Sequence, residues 1–98
     1  MRVERSSGNV FRDVGFSDTE AENLRVRADL MISLGKLIEE RGLTQKQAAD
    51  LLGVTQPRIS ALLRGKIQLF SVDGLLEMLG RGGARVSITV KEPRGRVA

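Results

Sequence analysis

Residues 43–66 read LTQKQAADLLGVTQPRISALLRGK, and this stretch decides the fold. Thr44 and Gln47 form a capping box, because the Thr hydroxyl can accept from the third helical N–H while the Gln side chain reaches back to the cap. A helix of roughly ten residues is therefore expected to begin at Thr44. Thr55 is a good N-cap for a second helix, and Pro57 lies in its first turn, where proline costs no hydrogen bond. The stretch predicts two short helices in close succession.

The junction between these two helices has the residues of a DNA-binding helix-turn-helix. Ala49 is small where the second helix must cross close over the first, and Gly53 can adopt positive φ in the tight turn. Val54 and Ile59 are apolar and fill the angle between the helices. In this motif the second helix lies in the major groove, so the spacing predicts sequence-specific DNA binding.

A longer helix is predicted before this pair. Ser17 and Glu20 form another capping box, so this helix is expected to begin at Ser17 and to end at Arg41-Gly42. Its core-facing side holds apolar residues at helical spacing. These residues are Leu24, Ala28, Met31, Leu34 and Ile38.

Two more elements are predicted after the pair. Ser71 is a good N-cap for a last helix over residues 72–79, which glycines then close. Beyond the glycines, Val86, Ile88 and Val90 alternate with polar residues. This period of two predicts a strand over residues 85–91, and no partner strand is evident in the sequence.

The composition excludes several chemistries. The 98 residues contain no cysteine and no histidine, which excludes disulfides, thiol or imidazole catalysis and the usual zinc sites. Asp18, Glu20 and Glu22 could be proposed as Mg²⁺ ligands of a small nuclease, but helix capping and the helix dipole explain them. We therefore expect a protein that is not an enzyme and needs no cofactor. No apolar run reaches the roughly 20 residues of a membrane span, so a cytoplasmic location is expected.

The positive charge is concentrated around the two short helices. The formal net charge is +4, and residues 42–70 carry four basic side chains against one acidic side chain. Three of the four net charges therefore lie in this segment. A basic surface of this kind favours a polyanionic partner.

Residues 43–66 resemble the XRE (Cro/C1-type) family, and the match is specific. Residues 9–16, residues 70–75 and the final strand also resemble a HigA-like antitoxin branch of that family. The expected fold is mainly α, a compact bundle of four to five helices that contains a lambda-repressor-like helix-turn-helix and is followed by one C-terminal β-strand. The expected divisions are a flexible docking segment (1–16), the DNA-binding domain (17–80), a dimerisation strand (85–91) and a disordered basic tail (92–98).

The resemblance places base contacts early in the second short helix. A glutamine amide can bond adenine at two positions, and apolar carbons can touch a thymine methyl. The predicted base contacts are Gln56, Pro57, Ser60 and Arg58, with phosphate contact as the alternative for Arg58. The predicted phosphate contacts are Gln45, Lys46, Thr55, Arg64 and Lys66.

The expected partners are a second copy, an operator and a toxin. A lone half-apolar strand leaves unpaired backbone groups, which a two-fold partner would satisfy, so Val86, Ile88 and Val90 are the predicted dimer interface. The alternative interface is formed by Leu75, Leu76 and Leu79. A dimer would bind an inverted-repeat operator of double-stranded DNA. The resemblance implies a small ribonuclease toxin, covered by residues 3–16 and the outer side of the first helix; the alternative is a stand-alone or phage-type repressor without a toxin.

Overall fold

The computed structural model of the chain describes residues 2–3, 11 and 14–91. Its longest element is α1 (Asp18–Glu40), which begins after the N-cap Ser17, as predicted. The Ser17 hydroxyl accepts from the backbone N–H of Glu20 at 3.2 Å, and the Glu20 carboxylate accepts from the Ser17 N–H at 3.2 Å. Helix α1 runs through Gly35 without a break.

The two short helices form where the capping residues predict them. Helix α2 (Gln45–Leu52) begins after Thr44, whose backbone N–H donates to the Gln47 side chain at 2.9 Å. Gly53 ends α2 in the left-handed conformation, with φ of +71°. Helix α3 (Gln56–Leu63) follows after the N-cap Thr55. The predicted helix-turn-helix is therefore confirmed.

The chain then makes a short 3₁₀ helix (Ile67–Leu69) that was not predicted, and continues into α4 (Val72–Arg81). Ser71 caps α4, as expected, and its hydroxyl accepts from the Gly74 N–H at 3.1 Å. Helix α4 ends two residues later than the expected Leu79, so Arg81 belongs to the helix.

The core lies where α1 packs against α3 and α4, and where α2 packs against α3 and α4. It is aliphatic except for one aromatic ring, and its members have at most a few per cent of their surface exposed. The core cluster comprises Leu30, Met31, Leu34, Ile38, Ala48, Ala49, Leu52, Ile59, Leu62, Phe70, Leu75, Met78 and Leu79. Leu75 and Leu79 are fully buried in their own chain, so neither is available to the alternative dimer interface, whereas Leu76 is only partly buried.

The predicted C-terminal strand is confirmed, but it is shorter than residues 85–91 and it has a partner strand. The strand is limited to β2 (Ser87–Ile88), and it pairs in parallel with β1 (Arg2–Val3) at the other end of the chain. Arg2 lies opposite Ser87 and Val3 opposite Ile88. A two-residue partner is too short to show an alternating pattern, which is why the sequence did not reveal it. The predicted disordered tail, residues 92–98, lies outside the described residues.

Candidate nucleic-acid interface

Helix α3 divides into a buried side and an exposed side. Ile59 and Leu62 are buried in the core because residues three apart lie on one side of a helix. Gln56 and Pro57 are exposed, and Ser60 is half-buried beside them. The structure therefore brings these three predicted base contacts together on the first turns of α3, with polar groups available to DNA.

The N-terminus of α3 has both a cap and a possible phosphate contact. The Thr55 hydroxyl accepts from the Arg58 backbone N–H at 3.3 Å. A hydroxyl also carries one proton, so Thr55 can cap α3 and donate to a phosphate oxygen at the same time. Helix N-termini favour such anions, because their backbone N–H groups and dipole are positive.

The first turn of α2 supplies Gln45 and Lys46, both exposed. Lys46 Nζ lies 3.3 Å from Asp50 Oδ2, one helical turn further on. Exposed ion pairs of this kind contribute little to stability, so Lys46 can exchange Asp50 for a DNA phosphate at small cost. DNA binding at Lys46 would break this ion pair.

Arg64 and Lys66 are exposed beyond the last turn of α3. An eight-residue helix is roughly 12 Å long, so these two cations lie about that far from Gln56. They cannot meet the same phosphate as Thr55.

Arg58 has a specific neighbour that sequence reasoning missed. Its guanidinium carbon lies 4.6 Å from the centre of the Phe70 ring, within the range of a cation–π interaction. In the sequence, Phe70 stands out only as the first residue of the 70–75 segment that resembles the HigA-like branch. No local pattern could have revealed the contact, because the 3₁₀ helix between the two residues sets their relative position.

Arg81 is a second cation that the sequence did not indicate. A Cβ added to Gly53 would lie 3.0 Å from Arg81 Cδ, Nε and Nη1, so this side chain lies directly over the turn between α2 and α3. Arg81 Nη2 is also 3.3 Å from Glu77 Oε1. Gly53 thus suits the turn through its positive φ, and its lack of a side chain leaves room for Arg81.

The acidic residues near the start of α1 have local roles. Glu20 caps the helix, and its pKa is lowered, chiefly by the hydrogen bond from the Ser17 side chain and then by that from the Ser17 backbone. Glu22 Oε1 lies 2.7 Å from Arg25 Nε. Among residues 2–3, 11 and 14–91, no cluster of acidic side chains could hold a metal ion. No helix in these ranges is long and apolar enough to cross a membrane.

Known proteins share this architecture. A family model described as a helix-turn-helix domain matches residues 10–91, which is most of the chain. A solved structure assigned to the XRE family of transcriptional regulators is similar to the chain, with a TM-score of 0.71 and 36% sequence identity. The similarity covers 81% of this chain and 90% of that one. No curated protein matched.

The fold, the exposed first turns of α3 and these similarities define a helix-turn-helix DNA-binding protein. The chain belongs to the XRE family of transcriptional regulators. The family resemblance in residues 43–66 is therefore confirmed. The HigA-like branch stays a prediction, as do the individual base and phosphate contacts.

Proposed function

We propose that the chain is an antitoxin that represses its own toxin–antitoxin operon and neutralises a partner toxin. The observation that carries the repressor role is the surface on the first turns of α3, where Gln56 and Pro57 are exposed and Ser60 is half-buried beside them. It sits beside the Thr55 cap and the positive end of the helix. Binding to operator DNA is the whole mechanism of repression here, and no catalytic step is part of the proposal.

A mobility-shift titration on the DNA upstream of the gene tests the base contacts. Gln56→Ala should weaken operator binding by roughly ten-fold or more, because a bidentate base contact contributes about 1–3 kcal/mol. Lys36→Ala is the control, since Lys36 is exposed on α1, in a different element from the motif. Unchanged operator affinity in a folded Gln56→Ala variant would show that the recognition surface has been placed wrongly.

The phosphate contacts have a different signature. Lys46→Ala should weaken binding to all DNA sequences alike and should reduce the slope of log K against log salt by about one. Base discrimination should not change. If base discrimination changed while the salt slope did not, Lys46 would be shown to contact a base and not a phosphate.

We further propose a two-fold dimer that contacts successive major grooves of an inverted repeat, about 34 Å apart. Ile88 and Val90 support this, because they are 54% and 89% exposed although they are apolar. Val86 packs partly against the core, so it would contribute less to a dimer interface than the other two. Within the described residues the sheet consists of two strands, β1 and β2. The edge of β2 that faces away from β1 is therefore available to a strand from another copy.

Sedimentation measures the dimer directly. Ile88→Lys with Val90→Lys should raise the dimer dissociation constant at least ten-fold. The control is Ser87→Lys with Thr89→Lys, which adds the same two charges to exposed polar residues of this segment and should raise the dissociation constant less. A chain ending at Gly83 that still dimerises as tightly as the full chain would exclude the strand as the interface.

An apolar groove of about 400 Å³ supports the neutralisation role. Phe11 and the α1 residues Ala28, Ile32 and Gly35 line it, together with Leu63 at the C-terminal end of α3. Ile32 and Leu63 are 58% and 46% exposed. This surface includes part of the predicted toxin-binding region, and it lies at the end of α3 away from the base contacts.

The toxin proposal is tested with the protein encoded beside this gene. If that protein is a small ribonuclease, co-purification with this chain and suppression of its RNA cleavage are expected, and Ile32→Lys should abolish both while operator binding persists. Gln68→Lys, which adds the same charge at an exposed residue that does not line the groove, is the control. A gene without such a neighbour, or a neighbour that this chain does not inhibit, would favour the alternative of a stand-alone or phage-type repressor.

A further inference from the structure

Phe70 is the one aromatic residue of the core cluster, and it lies beneath a cation of the DNA-binding helix. Its side chain is 4% exposed. The Arg58 guanidinium carbon stands 4.6 Å from the ring centre, while Arg58 itself is exposed. A long side chain that would otherwise sample many rotamers therefore rests on a fixed, apolar surface.

The ring is fixed because its backbone is held from two sides. Arg27 Nη1, on α1, donates to the carbonyl oxygens of Ile67 and Phe70, both at 3.2 Å. Arg27 Nε donates to Asn23 Oδ1 at 2.8 Å, which orients the guanidinium. The Phe70 N–H donates to the Ile67 carbonyl at 3.2 Å. The segment that carries the ring is thus tied to the longest helix of the fold.

The stacked position directs Arg58 away from the base contacts. Arg58 follows Gln56 by two residues, a rotation of about 200° around the helix axis, so the two side chains leave α3 on opposite sides. Arg58 instead lines a groove with Val54, Glu77 and Arg81. Glu77 in that groove already accepts from Arg81, at 3.3 Å. With Gln56 facing the bases, a cation on this side of α3 faces away from them, which favours the DNA backbone as its partner.

We propose that Phe70 is a positioning residue that holds the Arg58 guanidinium ready for a DNA phosphate. The inference rests on operator binding by α3, and it chooses phosphate contact over base contact for Arg58. Stacking removes rotamer freedom before binding, so less entropy is lost when the phosphate contact forms. A guanidinium can use its ring-facing plane for stacking and its in-plane N–H groups for phosphate oxygens at the same time.

The test is a double-mutant cycle between the two residues, read as affinity for the operator fragment protected by the full-length protein. Arg58→Ala should weaken binding about ten-fold, and Phe70→Leu, which keeps an apolar side chain in the core, roughly two- to five-fold. Phe70→Leu should have no further effect in the Arg58→Ala background. Both variants should leave discrimination against single base-pair changes in the fragment unaltered, and Arg58→Ala should lower the salt slope by about one.

A purely structural role for Phe70 predicts a different result. In that case Phe70→Leu would weaken binding equally with and without Arg58, and the proposal would be overturned. Unchanged or tighter binding by Phe70→Leu, or altered base discrimination in Arg58→Ala, would also overturn it. If the unchanged protein bound no DNA at all, operator binding itself would be contradicted, a result that is distinct from a failure of the positioning role.

Arg58→Lys provides a measurement that leaves the core intact. Lysine keeps the positive charge but has a compact ammonium that lacks the planar stacking surface. Binding should weaken roughly two- to five-fold while the salt slope stays the same. Affinity equal to that of the unchanged protein would show that stacking on Phe70 does not contribute.

Discussion

The helix-turn-helix and the β1–β2 pair differ in how far apart along the chain their contacting residues lie. Helices α2 and α3 are defined by contacts within about 20 residues, with caps at Thr44 and Thr55 and a left-handed Gly53 between them. The β1–β2 pair joins residues at opposite ends of the chain through two residues on each strand. The first region is locally specified and buries Ile59 and Leu62 in the core, whereas Ser87 and Ile88 of the second region are exposed. Their contributions to stability should differ accordingly.

The largest expected difference is in side-chain burial. Ile59→Ala removes a fully buried side chain from the helix-turn-helix and should lower the free energy of unfolding by about 2–5 kcal/mol. Ile88→Ala changes a side chain that is more than half exposed and should cost less than about 0.5 kcal/mol. Urea unfolding of both variants measures this. Equal losses would mean that the terminal strands stabilise the fold as much as the motif does.

Two glycines with positive φ provide the next comparison. Gly53→Ala and Gly42→Ala both place a side chain in the left-handed region, at φ of +71° and +62°, which should cost about 1–2 kcal/mol each. Gly53→Ala should cost more, because its Cβ would meet Arg81 at 3.0 Å, whereas nothing lies within 4 Å at Gly42. The excess should vanish in an Arg81→Ala background. If Gly53→Ala still costs more than Gly42→Ala in that background, the extra cost arises in the turn and not from Arg81.

The helix cap is expected to have a smaller effect. Thr44→Ala removes the hydroxyl that accepts from the Gln47 N–H at 3.1 Å and should cost about 1 kcal/mol. Thr89→Ala, near the C-terminal strand, is the matched change and should stay within about 0.5 kcal/mol of zero. Thermal unfolding measured by circular dichroism compares them. If the two variants unfold alike, α2 is specified by packing and not by its cap.

The smallest effect concerns pH. Because the folded-state pKa of Glu20 is lowered from 4.5, its stabilising contribution is complete above the unfolded pKa and is lost as the pH falls through the folded pKa. Glu20→Gln should therefore flatten the dependence of stability on pH below about pH 4.5. Ser17→Ala should have the same effect, since it removes the largest cause of the shift. If the loss of stability at low pH is the same in both variants as in the unchanged protein, the capping box does not persist in solution.

The sequence predicted what depends on neighbouring residues. The N-caps at Ser17, Thr44, Thr55 and Ser71 were all placed correctly, because a capping side chain and its N–H partner are three residues apart. The aliphatic core followed from helical spacing. These features set the fold and the exposed face of α3.

Contacts between distant segments escaped prediction. The Arg58–Phe70 stacking, the Arg27 bonds to two carbonyl groups and the approach of Arg81 to Gly53 each depend on how whole helices meet. The partner of β2 was missed for the same reason. These contacts shape the surroundings of the DNA-binding helix, which is why residue types alone left the role of Arg58 open.

The parallel pairing of Arg2 with Ser87 has a consequence for the order of folding. Closing a loop of about 85 residues costs more chain entropy than the local turns of the helical bundle do. The pairing of two residues on each strand offsets little of that entropy cost. The terminal sheet is therefore expected to form after the folding transition state and to open without global unfolding. Native-state hydrogen exchange should find the amides of Ser87 and Ile88 exchanging far faster than that of Ile59. A regulator built this way can release its two ends while its DNA-binding helix keeps its place.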